Sequence, residues 1–185
     1  HNLGVAPEMI IVKRRSSVED WLVYSQPTGN QAGTGLNQTA ATFTGVSQYW
    51  NSTTPTASVF SLGTHARVNT SSQTYIAYLF ATLAGVSKVG TYTGTGADLN
   101  VDCGFTGGAR FILIKRSDSA GDWYYWDYLR GITAGNDPYS ILNTESAQVT
   151  GTDYVDPLNA GFTVTSSASS TVNINGGTYI FLAIA

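Results

Sequence analysis

Charge is what this sequence is shortest of: Asp, Glu, Lys and Arg make up 11% of its 185 residues, under half of the roughly 25% usual in soluble domains. The nine basic residues form no cluster larger than Lys13-Arg14-Arg15, and the formal net charge is -3. An electrostatic nucleic-acid footprint is thereby excluded. Cysteine is nearly absent. Cys103 stands alone, so there is neither an intrachain disulfide nor a cysteine-based metal cluster. The longest apolar stretch, Tyr75 to Val86, is about half of the ~20 residues that a membrane-spanning helix requires. It reads as a buried strand plus a turn, with no membrane insertion. Histidine occurs twice, His1 at a terminus and His65 in a polar turn, and no Gly-x-Ser-x-Gly elbow is present, which argues against a serine triad. Helical periodicity never persists beyond about two turns; the best stretch, Pro138 to Val149, is short. There is no secretory leader, and a first residue His1 instead of Met reads as a piece of a longer polypeptide.

What is there is rich in Thr, Ser, Gly, Asn and Tyr, a mixture suited to strands and turns, and it is said twice. Met9-Ile-Ile-Val-Lys13-Arg14 followed by Asp20-Trp21 returns as Phe111-Ile-Leu-Ile-Lys115-Arg116 followed by Asp122-Trp123. Each copy then closes alike: Val68-Asn69 and Thr74-Tyr-Ile-Ala-Tyr-Leu-Phe-Ala81 match Val172-Asn173 and Thr178-Tyr-Ile-Phe-Leu-Ala-Ile-Ala185. A duplicated unit of this kind predicts architecture. The first run of each half and the run after it, Trp21 to Tyr24 or Trp123 to Asp127, read as a hairpin. Its first strand is apolar at consecutive positions and therefore belongs mid-sheet, covered on both faces. Short strands are expected at Thr39 to Thr44, Ser58 to Leu62, Gly161 to Thr165 and from Ser87 toward Gly96. The fold class that follows is all-β: an antiparallel β-sandwich, jelly-roll or concanavalin-like, built from two duplicated halves. A chain of this length buries about 70% of its unfolded surface, and because the closing strands are apolar on both faces, one shared domain over 1–185 is expected, with half-repeats of about 1–86 and 87–185.

Enzymatic motifs are scarce, and the chain is not expected to be an enzyme or to carry a cofactor. Thr93-Gly-Thr-Gly-Ala-Asp98 lacks the Lys of a phosphate loop and reads as a hairpin turn. Asp98, Asn100 and Asp102 have the one-three-five oxygen spacing of a calcium loop, but Cys103 and Ala109 stand where Gly and Glu are needed; alternate polar residues on a strand explain them more simply. Carboxylates for sugar hydrolysis would come from Asp122, Asp127, Asp153 and Asp156. Lys13/Asp20 and Lys115/Asp122 read as strand-flanking ion pairs beside the core anchors Trp21 and Trp123. The candidate ligand-binding residues are Tyr49, Trp50, Asn51, Trp126 and Tyr139, because an aromatic ring beside Asn or Asp can stack on a sugar face and hydrogen-bond its edge.

Gly4-Val-Ala-Pro-Glu-Met-Ile-Ile-Val-Lys-Arg14, Trp50 to Gly63, Thr74 to Ala81, Gly85-Val-Ser-Lys-Val-Gly-Thr-Tyr-Thr-Gly-Thr-Gly96 and Thr178 to Ala185 together resemble the repeated module of tail-fibre-like virion proteins of tailed bacteriophages, common in marine phages. The resemblance covers almost the whole chain. This copy departs from the commoner pattern at Gly107-Gly108-Ala109, where a Pro often precedes the strand. The resemblance implies a virion appendage outside the cell, often trimeric, whose partners are copies of itself, other virion proteins and a host-surface glycan. A capsid-decoration, head-fibre or spacer role and a polysaccharide depolymerase are the alternatives. Function is expected in the dissimilar loops, Ser25 to Thr56 and Gly131 to Asn159, instead of the repeated scaffold.

Overall fold

The computed structural model describes residues 1–185, which divide into two compact units, 1–81 and 82–185. The protein is all-β, with 34% strand and 5% helix in several antiparallel sheets.

In the first unit, β1 (Met9–Arg14), β2 (Trp21–Ser25), β3 (Thr34–Gly35) and β4 (Tyr75–Phe80) form one sheet in the order β3-β2-β1-β4. The apolar run makes β1 a central strand, as its uninterrupted hydrophobicity demands. Met9 to Lys13 pair with Trp21 to Ser25 on one side, and Met9 to Arg14 pair with Tyr75 to Phe80 on the other. Alternate residues Ile10, Val12, Leu22 and Tyr24 pack with Tyr49, Trp50 and Val68; Met9 and Ile11, on the opposite face, are also buried. The layer over this sheet has no strands. Residues 39–44 contribute one isolated bridge, Gly33 to Phe43, and residues 58–62 form none, so both expected strands are absent. Their side chains are recruited by packing: Phe43, Phe60 and Leu62 lie on the core, and a single helical turn, α1 (Ser47–Trp50), delivers Tyr49 and Trp50.

The second unit repeats the sheet and completes it. Its strands are β5 (Ser87–Thr93), β6 (Leu99–Asp102), β7 (Phe111–Arg116), β8 (Trp123–Asp127), β9 (Ser140–Ile141), β10 (Val155–Leu158), β11 (Gly161–Val164) and β12 (Thr178–Ile184). The order β5-β12-β7-β8-β9 reproduces that of the first unit with one strand added at the β12 edge, and β10-β11-β6 form a second sheet. Phe162 and Val164 of β11 meet Phe181, Ile112 and Trp126 in one core, the rings of Phe162 and Phe181 edge to face at 5.4 Å. This unit is a two-layer β-sandwich. The stretch Pro138 to Val149 is not helical; it holds β9 and a bridge from Tyr139 to Val149.

Repeated residues make repeated bonds. The Trp21 N–H donates to Asn37 Oδ1 at 3.0 Å while Asn37 Nδ2 donates to Asp20 at 2.9 Å; Trp123, Asn143 and Asp122 do the same at 2.7 and 2.8 Å. Each clip ties the start of the hairpin's second strand to a Leu-Asn pair, Leu36-Asn37 or Leu142-Asn143, whose Leu N–H bonds the Trp carbonyl. At the other end, Tyr75 and Tyr179 each donate a hydroxyl to a carbonyl of the preceding turn, Ala66 or Thr171, and accept the N–H of Thr70 or Ile174. The sites differ in burial. Trp123 is fully buried but Trp21 only in part, so only the former is a core anchor.

The proposed Lys13/Asp20 pair is replaced by other bonds. Lys13 donates to the Glu19 carbonyl, while Asp20 is held by Arg67 at 2.7 Å, Asn37 and Gln38. In the second unit the buried Lys115 donates to the Gly121 carbonyl at 2.6 Å, and burial lowers its pKa to about 8 against the pull of the Asp122 charge. A lysine-to-carbonyl bond thus closes each hairpin loop, Lys13 to Glu19 between β1 and β2 and Lys115 to Gly121 between β7 and β8. Breaking the more buried clip should matter more: Asn143→Ala is expected to cost about 1–2 kcal/mol and Asn37→Ala less than about 1 kcal/mol, measured by chemical denaturation followed through tryptophan fluorescence.

Candidate functional site

Four of the five candidate residues are interior. Trp50 is 1% exposed and donates its indole N–H to the Ala32 carbonyl at 2.7 Å, with Tyr24 edge-on at 5.5 Å. Tyr49 is buried against His65, ring centroids 4.7 Å apart. Trp126 is 0% exposed, and Tyr139 lies between it, tilted at 53°, and Tyr154, on which it stacks at 5.4 Å. Buried rings present no face to a sugar, so these four are corrected from binding residues to core. Tyr49 and Trp50 fasten the α1 loop to the first unit's sheet, whereas Trp126 is part of β8 and turns its ring into the core. Asn51 is exposed, in the left-handed region at φ 53° where it ends α1.

The oxygens of the calcium-like spacing serve three separate bonds: Asp98 accepts the Ser166 N–H, Asn100 the Thr163 hydroxyl across β11, and Asp102 the Gly104 N–H. Asn100 and Asp102 alternate with Leu99 and the buried Val101 along β6, the simpler of the two readings. No group of three or more metal-ligating side chains is assembled anywhere. Among the carboxylates, Asp122 and Asp127 bracket β8, about 16 Å apart along a strand rising ~3.3 Å per residue. Asp127 is paired with Arg130 at 2.8 Å and Asp156 accepts the Gly135 N–H.

The concave surface lies elsewhere in the second unit. A cleft of about 340 Å³ is lined by Gly107, Gly108, Arg110, Tyr128, Pro157 and Leu158, among others. A shallower hollow of about 370 Å³ adjoins it around Arg110, Tyr128 and Leu129. The first is within the size of small-ligand sites. Gly108 is required here: its φ is 78°, and a Cβ would stand 3.1 Å from the Leu158 carbonyl oxygen. The departure at Gly107-Gly108-Ala109 noted from sequence is therefore the cleft wall.

At the mouth, Tyr128 is 60% and Leu129 92% exposed. The guanidinium of Arg110 sits over the Tyr128 ring, 4.8 Å from its centroid, and makes none of the salt bridges found in the chain. Arg130 is the contrast. It is locked by Asp127, the Tyr125 ring and hydroxyl, and Ser140, so it holds the turn instead of offering its charge. Sequence reasoning missed Arg110, Tyr128 and Leu129. The available signal was Tyr128-Leu129, two large apolar residues placed directly in the turn after β8.

The wall carrying Pro157 and Leu158 is secured by Asp137. This fully buried carboxylate accepts the N–H groups of Tyr154 and Val155 at 3.0 and 3.1 Å. The Trp126 indole N–H lies close enough to favour the charged form yet falls short of hydrogen-bond geometry. Burial outweighs these donors and raises the Asp137 pKa to about 7.

Fold and site together define a duplicated all-β module with a small aromatic- and arginine-edged cleft in its second half. The chain belongs to the family described as Domain of unknown function (DUF7483), whose model matches residues 1–185. No curated protein and no solved structure matches the chain.

The folded Asp137 takes its proton near 7 and the unfolded chain's near 3.8, so between those values the folded state holds the extra proton and its stability falls as pH rises. Asp137→Asn should flatten that decline, read as the difference between the two proteins' melting midpoints from pH 4 to 8. Asp153, also raised by burial, adds to the decline, while His65, lowered by burial, opposes it.

Proposed function

We propose that the protein is a non-enzymatic structural module of a tailed-bacteriophage virion appendage that attaches to a host-surface glycan through the Arg110–Tyr128–Leu129 cleft. The observation that carries the attachment reading is the exposed Tyr128 ring beside an arginine engaged by no carboxylate, on a rigid sandwich. Exposed apolar groups are the usual mark of an interaction site, and aromatic and arginine side chains are the residue types that dominate binding energies. The virion placement is supported by the resemblance of five segments spread over the chain. Loops carried by a β-scaffold suit recognition because the scaffold bears the cost of order. The ring would stack on an apolar sugar face while Arg110 donates to hydroxyl or carboxylate oxygens.

On an array of bacterial surface polysaccharides, the protein should bind a subset of glycans. Tyr128→Ala should weaken that binding by about tenfold or more, the loss of ~1.4 kcal/mol or greater, with the melting midpoint unchanged because the ring is mostly exposed. Absence of glycan binding, or equal binding by the variant, counts against this site.

A further inference from the structure

The first unit's sheet has one edge that is unlike every other edge of the two duplicated sheets. β4, Tyr-Ile-Ala-Tyr-Leu-Phe, is six residues long, and no charged residue or proline occurs from Val68 to Ser87. Exposed edges are ordinarily blunted by shortness, by lysine, by proline or by a bulge, because their unpaired N–H and C=O groups template pairing. The edge strands β3 and β9 are two residues long, and β5 carries Lys88. β4 has none of these devices.

Its pairing leaves one side open. Thr74 and Phe80 carbonyls accept from the β1 side, so by antiparallel alternation the N–H and C=O groups of Tyr75, Ala77 and Leu79 point outward. No strand lies there. On the strand's other face Ile76 is 36% and Tyr78 46% exposed, although the sequence pattern predicts a buried strand.

The duplicate shows what such an edge takes. β12, the counterpart of β4, pairs with β5 over seven residues, Thr178 to Ile184 against Thr93 to Ser87. Residues 179 to 183 of β12 are then all buried. Tyr179, Phe181 and Ala183, which correspond to Tyr75, Ala77 and Leu79, meet Tyr92, Gly90 and Lys88. Gly90 is needed because a Cβ there would stand 2.6 Å from the Phe181 ring. Ala77 replaces that ring in the first unit, so the strand opposite it has room for a side chain.

We infer that the outer edge of β4 is a docking site for an extended strand donated from outside residues 1–185, added antiparallel with the pattern of β5. The recognised chemistry is that of β5, a stretch of β-branched and aromatic residues with no more than one charge, with an aromatic opposite Tyr75 to repeat the Tyr92–Tyr179 stack, whose centroids are 4.9 Å apart. Main-chain hydrogen bonds would supply affinity and the alternate pockets specificity. The charge-free span of Val68 to Ser87 suits a donor of low charge.

The test attaches a copy of Ser87–Thr93 ahead of the full chain through a flexible Gly/Ser linker, which holds it at an effective concentration of ~mM. Hydrogen exchange at the amides of Ala77 and Leu79 should slow by about tenfold or more and the melting midpoint should rise. A tether with Lys88→Pro and Tyr92→Pro in the donated copy, which lacks two of the three N–H donors that would face β4, should do neither. The receiving chain is identical in both, so a folding defect cannot mimic the result. No slowing in the first tethered protein overturns the proposal. So does protection of the same amides in the untethered chain that grows with protein concentration, since a second copy would then occupy the edge. Neither outcome depends on glycan binding at the Arg110 cleft.

Discussion

Backbone pairing on both sides of one apolar strand organises each unit. Four consecutive hydrophobic residues bury most surface when a strand has neighbours on both sides and cover on both faces, and β1 and β7, which each open with such a run, sit between a hairpin partner and a closing strand. The rest serves that arrangement. The Asp-Trp-Asn clips set where the hairpin's second strand begins, and the lysine-to-carbonyl bonds close its loop. The tyrosine hydroxyls fasten the turn that leads into the closing strand.

The two units solve the covering of their sheets differently. In the second, β6, β10 and β11 form an opposing sheet, and the buried Asn173 binds its pieces: the side-chain amide donates to the carbonyls of Ala97 and Thr165 at 2.7 and 2.9 Å and accepts the Thr95 N–H. Its counterpart Asn69 makes a single such bond, to the Gly63 carbonyl, because the first unit's cover is irregular chain with no strand ends to join. There, aromatic side chains replace backbone ladders. Trp50 and Tyr49 hold a loop that hydrogen bonds between strands do not.

This difference explains what could be read in advance. The hairpins, their central strands and the closing strands were legible because periodicity and duplication report a local, repeated pattern. The strands expected at 39–44 and 58–62 do not form: alternation of polar and apolar residues marks which side chains face the core, and irregular chain satisfies that as well as a ladder does. The candidate binding aromatics failed for the same reason. Neither a tryptophan in a polar loop, such as Trp50, nor one beside an Asp at a strand end, such as Trp126, carries a sign of which way its ring turns, and both turn inward because each sheet face needs a large side chain to fill it. Arg110 and Tyr128 escaped notice because 18 residues separate them in the chain, and only the pairing of β7 with β8 brings them together.

Composition and repetition by themselves determined an all-β chain of two equivalent sheets, since strand pattern and hairpin chemistry are local properties. Tertiary structure alone decided which aromatics are core, which arginine stands over an exposed ring without a carboxylate partner and which strand edge is left open. Those are outcomes of packing between segments far apart in the chain, where a residue's role depends on what lies opposite it.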